Sequence, residues 1–241
     1  MRKKILIIGN NNGLEGVNVD FQNYIQFFKS KTGGEWNDGE IISMMNPLKV
    51  LLNLQIANLK RENLDYLIVI FSGHGGQERE TVLELNNRGE CIEESALKYI
   101  STRQLNIYDC CRSYPSKVEA ATEKMIRLFE SGGKIFYSTR ARYEARIMSS
   151  ISQQICLYAC SIGETAEDTK DGGIYSYSLM QSGAAIQGTT DEYSFVGNTH
   201  IAAKYIVKAK GYKQNPDAVL PRCLSNQQLI FSINPQIHRI I

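Results

Sequence analysis

Short apolar runs alternate with amphipathic stretches along most of the chain. Residues 4–8 form an apolar run closed by Gly9, the pattern of a strand buried on both faces. Val17, Phe21, Tyr24, Ile25 and Phe28 then recur at helical spacing, and Gly33-Gly34 stops that helix. A second strand is predicted at 40–44. Pro47 opens a helix carrying Val50, Leu51, Leu54, Ile56 and Leu59, proline being favourable in a first turn. Residues 64–71 make a strongly apolar strand that runs into Ser72-Gly73-His74-Gly75-Gly76. Alternation at 81–85 predicts another strand, followed by a turn at Asn87-Arg88-Gly89 and a short helix at 93–100.

The second half continues the pattern. A strand at 104–109 runs into Cys110-Cys111-Arg112-Ser113, and an amphipathic helix is predicted at 117–130, closed by Gly132-Gly133. A strand at 155–160 precedes Gly163 and an acidic loop. Helices at 175–180 and 201–208 and a final strand at 228–233 follow. Strands alternating with helices predict an α/β fold with a mainly parallel sheet covered on both faces. Active groups in such sheets gather outside the carboxyl ends of the strands. His74 and Cys111 each stand just beyond one.

Composition narrows the picture. The chain has 241 residues, 43% hydrophobic, enough for one core and a single domain. Its net charge of +2 comes from scattered basic residues, which argues against a nucleic-acid surface. No stretch approaches the ~20 apolar residues of a membrane helix, so no membrane partner is expected. The apolar run after the N-terminal basic residues is too short for a signal peptide, which leaves the cytoplasm as the expected location. Adjacent Cys110 and Cys111 suit neither a disulfide framework nor the paired cysteines of a zinc site.

A thiol of pKa ~8.5 is a weak nucleophile near neutrality until an imidazole takes its proton. His74 and a strand-end cysteine together form such a pair. Gly75 has no Cβ to obstruct a substrate carbonyl, and the backbone N–H groups of Gly75 and Cys111 are candidate oxyanion donors, an effect worth roughly 3 kcal/mol each.

Phe71-Ser72-Gly73-His74-Gly75-Gly76 resembles the histidine motif of caspases, paracaspases and metacaspases. Tyr108-Asp109-Cys110-Cys111-Arg112 resembles their cysteine motif, with an acidic or amide residue two before the nucleophile, which selects Cys111 over Cys110. Arg112 matches caspases and paracaspases. The first strand with Gly9-Asn10, the segment from Tyr158 to Asp168 and the segment from Gly173 to Met180 extend the resemblance over nearly the whole chain. It implies a three-layer sandwich around a six-stranded sheet. The expected divisions are a larger portion at 1–133, a linker at about 134–152 and a smaller portion at 153–241.

The resemblance also implies a cysteine endopeptidase acting on protein or peptide substrates. Aspartate-cutting caspases line the pocket for the residue before the scissile bond with arginines, whereas Asp109 here is an acid. Asp168 matches an acidic pocket position of paracaspases, with Glu167 as the neighbour at risk in the matching, and Asp20 resembles a third. Three converging carboxylates favour a bidentate arginine over lysine and repel aspartate. Arg140, Arg142 and Arg146, in a stretch of little regular pattern, are candidate self-processing sites. Calcium is weighed at Glu93-Glu94, but no cofactor or metal is expected. Residues 228–233 are a candidate edge strand for a homodimer, and an activating partner is expected to be a separate chain. The alternatives are a catalytically silent scaffold of the same fold and a nucleotide-binding module, the latter lacking both glycine-rich phosphate motifs.

Overall fold

The computed structural model describes residues 1–114 and 138–237. The helix expected at 117–130 lies outside the described residues. In chain order the elements are β1 (Lys3–Gly9), α1 (Gly16–Lys29), β2 (Ile41–Met45), α2 (Lys49–Arg61), β3 (Tyr66–Ser72), β4 (Gly75–Gln77), β5 (Thr81–Glu84), β6 (Cys91–Glu93) and β7 (Arg103–Asp109). Then come α3 (Thr139–Met148), β8 (Gln153–Tyr158), β9 (Asp168–Thr169), β10 (Gly172–Gly173), α4 (Ile174–Ala184), β11 (Tyr193–Phe195), α5 (Val196–Ala209), β12 (Asp217–Val219) and β13 (Ile230–Ile233).

The central sheet has six strands in the order β12-β8-β7-β3-β1-β2, all parallel except β12. Because strand side chains alternate, each strand feeds two cores. Ile5, Ile7, Ile68, Ile70, Leu105 and Ile107 pack with α1, α3, α4 and α5 on one face. Leu6, Ile8, Leu67, Val69, Phe71 and Tyr108 pack on the other with α2 and with Leu83 and Ile92. The result is the three-layer α/β sandwich expected from the sequence.

Three expectations are corrected. The strand at 81–85 is real but joins β4 and β6 in a separate antiparallel sheet, and 93–100 holds only a 3-10 turn at Glu94–Leu97. Helix α2 buries Leu52, Ile56 and Leu59, while Val50, Leu51 and Leu54 face outward. Finally, β13 is buried and pairs antiparallel with β11, away from the central sheet. The edge on that side of the sheet is β12, so the homodimer edge proposed at 228–233 is misplaced.

The linker also differs. Within 134–152, α3 is a regular helix capped by Ser138, whose Oγ accepts from Ala141 N–H at 3.2 Å. The three arginines anchor it. Arg140 makes a bidentate pair with Glu40 at 2.6 and 2.9 Å, and Arg142 reaches Glu192 at 2.9 Å. Arg146 donates to the carbonyls of Asn226 and Gln228. The irregular basic stretch read from the sequence is a packed helix because each guanidinium has partners far away in the chain.

Candidate active site

The sheet register brings the two candidate catalytic residues to equivalent steps. Ser72 of β3 lies opposite Gly9 of β1 and Asp109 of β7, so the three strands end level. His74 and Cys111 each follow two residues later on neighbouring strands. Gly73 extends the ladder, its N–H donating to Asp109 O at 3.0 Å. It does so at φ +150°, with the Asn10 backbone where a Cβ would stand, so only glycine fits comfortably. His74 and Cys111 line one small cavity of about 50 Å³, together with Asp109, Ala166, Glu167 and Asp168.

The imidazole is oriented by a group that sequence reasoning missed. His74 Nε2 lies 2.6 Å from Asn12 O. A carbonyl oxygen only accepts, so the contact puts a hydrogen on Nε2 and, in the neutral ring, the lone pair on Nδ1. The signal was a backbone atom in the Gly9-Asn10-Asn11-Asn12-Gly13 loop, invisible to side-chain motifs. Cys111 Sγ, in turn, contacts Ala166: it accepts from Ala166 N–H at 3.4 Å and lies 3.8 Å from Ala166 O. Burial, with the nearby charges of Asp109 and Glu167, pushes the Cys111 thiol up, against the opposing Ala166 N–H. The Cys111 side chain therefore rests as a neutral thiol near neutral pH and would need a base to act as a nucleophile.

The two candidate oxyanion donors can be placed from the backbone ladder. Glu84 N–H donates to His74 O at 3.0 Å, which makes His74 and Glu84 a hydrogen-bonded pair of the antiparallel ladder. Gly75, opposite Leu83, then occupies a non-hydrogen-bonded position and its N–H points away from β5. Two residues on, Gln77 N–H points the same way and reaches Ser113 O at 3.0 Å. The Gly75 N–H is thus aimed at the side where residues 111–113 run. The Cys111 N–H donates to none of the described residues.

The three acids come together from three elements. Asp20 of α1 is fully buried and accepts from Ser72 Oγ at 2.6 Å and from Gly173 N–H at 3.0 Å. Asp109 accepts from Ser176 N–H at 2.9 Å. Asp168 accepts from Gly16 N–H at 3.2 Å. The turn Gly172-Gly173 passes between them: a Cβ on Gly172 would strike the Asp20 carboxylate, and one on Gly173 that of Asp109. Burial raises the Asp20 carboxyl well above the usual range, and repulsion from Asp109 adds to this. Burial pushes Asp109 up to about 6, against the Ser176 donors, with Asp168 adding repulsion. Asp168 is also raised by burial, while Gly16 and His74 oppose the shift. Asp168 repels both other acids, whereas the Glu167 charge reaches Cys111, which favours Asp168 over its neighbour as the third acid. Asp20 does not line the cavity and lies behind Gly173, from whose N–H it accepts.

The remaining candidates lie elsewhere. Arg140, Arg142 and Arg146 are held in α3. Glu93 is exposed at the end of β6, while Glu94 is buried, accepting from Tyr158 Oη at 2.7 Å and pairing with Lys98 at 3.0 Å. The two glutamates therefore do not form a joint cation site. Among the described residues no group of three His, Cys, Asp or Glu side chains has the arrangement to hold a metal ion, and no helix is long and apolar enough to cross a membrane.

Comparison with known proteins speaks to the family and the fold. The family model described as a caspase domain matches residues 2–222. The chain belongs to the caspase-domain family, whose members are cysteine peptidases. The structure is similar to the crystal structure of caspase-1 from Spodoptera frugiperda, with a TM-score of 0.60 and 13% sequence identity over 90% of this chain and 86% of that one. At that identity the likeness speaks for the fold. No curated protein matches the sequence.

Proposed function

We propose that this protein is a cysteine endopeptidase that cleaves proteins and peptides after basic residues, arginine before lysine. The observation that carries this reading is the gathering of Asp20, Asp109 and Asp168 around Gly172-Gly173, beside His74 and Cys111. Carboxylates arriving from three elements match the fork of a guanidinium and oppose an acidic side chain. In this respect the site is nearer to paracaspases than to aspartate-cutting caspases.

In the proposed reaction, His74 Nδ1 takes the Cys111 proton as Sγ attacks the scissile carbonyl. The Gly75 and Cys111 N–H groups stabilise the oxyanion, and the imidazolium returns the proton to the departing amine. Asn12 O holds the ring through Nε2 throughout. Water, activated by the same imidazole, then hydrolyses the thioester. Ala166 must release Sγ first, because its N–H donates to the thiol at 3.4 Å.

That contact with Ala166 is also what favours the second reading, a silent scaffold. Labelling of Cys111 by an arginyl electrophile, abolished in His74→Ala, decides between the two. The main test is a panel of arginyl, lysyl and aspartyl fluorogenic peptides, with and without calcium. Arginyl hydrolysis lost in Cys111→Ala is expected, with no cofactor required, and preferred aspartyl hydrolysis overturns the reading. Location in a reducing cytoplasm, a homodimer through β12 and activation by a separate chain belong to the same proposal. Self-processing at α3 does not, since its arginines are engaged within the folded helix.

A further inference from the structure

The loop that carries Ala166, Glu167 and Asp168 past Cys111 is held from outside the pocket, by the segment leading into β12. Gln214 is only 4% exposed, and both ends of its amide are used. Its Oε1 accepts from Glu167 N–H at 2.7 Å, and its Nε2 donates to Ala159 O at 2.9 Å. Asn215 clamps Glu164, donating from its backbone N–H at 2.8 Å and from Nδ2 at 2.7 Å to the two carboxylate oxygens. Ser161 Oγ donates to Asn215 O at 3.0 Å. On the inner side, Arg112 N–H donates to Glu164 O at 2.9 Å, and Gly163 N–H to Arg112 O at 2.8 Å. The loop is thus tied at residues 159, 164 and 167, and the next residue is Asp168.

We propose that Gln214 is a positioning residue for substrate specificity: by bridging the end of β8 to Glu167, it sets where Asp168 stands relative to Asp109 and Asp20. Gln214 does not line the cavity, so it acts only through the loop. The inference rests on the arginine-pocket reading above. A glutamine suits the place because one acceptor and one donor are needed from a single rigid amide. Glutamate supplies only the acceptor. Alanine supplies neither and leaves the buried Ala159 carbonyl without that partner.

Alkylation of Cys111 in the full chain separates this role from a general structural one. Two peptidyl chloromethyl ketones differing only in the residue next to the reactive group, arginine or norleucine, are compared with iodoacetamide. The wild type is expected to favour the arginyl probe. Gln214→Ala is expected to lose roughly tenfold of that preference, with the iodoacetamide rate unchanged and Gln214→Glu falling between. Should Gln214→Ala not fold, Gln214→Glu and Asn215→Ala give the same ratio. An undiminished arginyl preference in these variants overturns the inference, as do equal losses with all three reagents. A wild type without arginyl preference overturns the pocket reading itself, and the inference with it.

Discussion

In the proposed arginine pocket, Asp109 sets specificity against stability. Its carboxyl is pushed up to about 6 by burial, against ~3.9 in an unfolded chain. A raised folded-state pKa means that the folded protein binds the extra proton. The associated stability is fully present below pH ~4 and is lost as pH rises through about 6. Above that, ionised Asp109 costs on the order of 2–3 kcal/mol. Asp109→Asn keeps an acceptor for Ser176 N–H without the charge, so its Tm should exceed the wild type's at pH 8 and converge with it near pH 4. The same substitution should lower arginyl kcat/KM by roughly 100-fold, about the 3 kcal/mol of one buried charge-assisted pair. In the wild type, arginyl kcat/KM should fall below pH 6 more steeply than that of a norleucyl substrate, because protonating Asp109 removes a guanidinium partner. Parallel pH profiles for the two substrates would remove Asp109 from the pocket. Gly73 offers a second residue-scale test. At φ +150° and against the Asn10 backbone, Gly73→Ala should cost about 1–3 kcal/mol, read by urea denaturation, and displace His74.

At the scale of elements, α3 decides how the chain is held where the family joins its larger and smaller portions. Arg140 joins it to Glu40 ahead of β2, Arg142 to Glu192 ahead of β11, and Arg146 to the segment before β13. Each partly buried pair is worth about 1–2 kcal/mol, so Arg140→Gln should lower stability by about that amount in chemical denaturation. Intact mass after prolonged incubation should show no cut after Arg140, Arg142 or Arg146, since a protease needs an extended strand and α3 would have to unwind. Here the limits of the sequence are physical. The strands ending at Ser72 and Asp109 are legible because their apolar runs are continuous and their motifs follow at once. That places His74 and Cys111 together without coordinates. The pattern at 139–148 is obscured because its arginines are satisfied by partners about 50 to 105 residues away, so charge that reads as solvent-facing is half-buried and paired. β13 misleads for the opposite reason: an apolar run announces burial but not which sheet it joins. Asn12 O and the Gly75 N–H are backbone groups, fixed only by the folded path.

For the whole molecule, the open question of assembly turns on which strand ends the sheet. β12 is three residues long, pairs antiparallel with β8 on one side and, among the described residues, has no strand on the other. An unpaired edge is a template for another strand, and a copy of β12 related by a two-fold axis would extend the sheet to twelve strands. The edge is also close to the candidate site. Asp217, which opens β12, lies 3.6 Å from the Arg112 guanidinium, and Arg112 follows Cys111. Arg112 is itself stacked 3.9 Å from the centre of the Tyr158 ring and bonded to Cys160 O, so movement of β12 reaches Cys111 through one buried side chain. Val219, 58% exposed at the end of the strand, is the place to intervene. Wild-type protein should run in light scattering at twice its 27.2 kDa, and Val219→Lys should run as a monomer with arginyl activity reduced at every enzyme concentration. If Val219→Lys is monomeric but retains full activity, the edge assembles the protein without governing the site. A wild type that is monomeric even when concentrated would show that β12 is a closed edge and that each chain works alone.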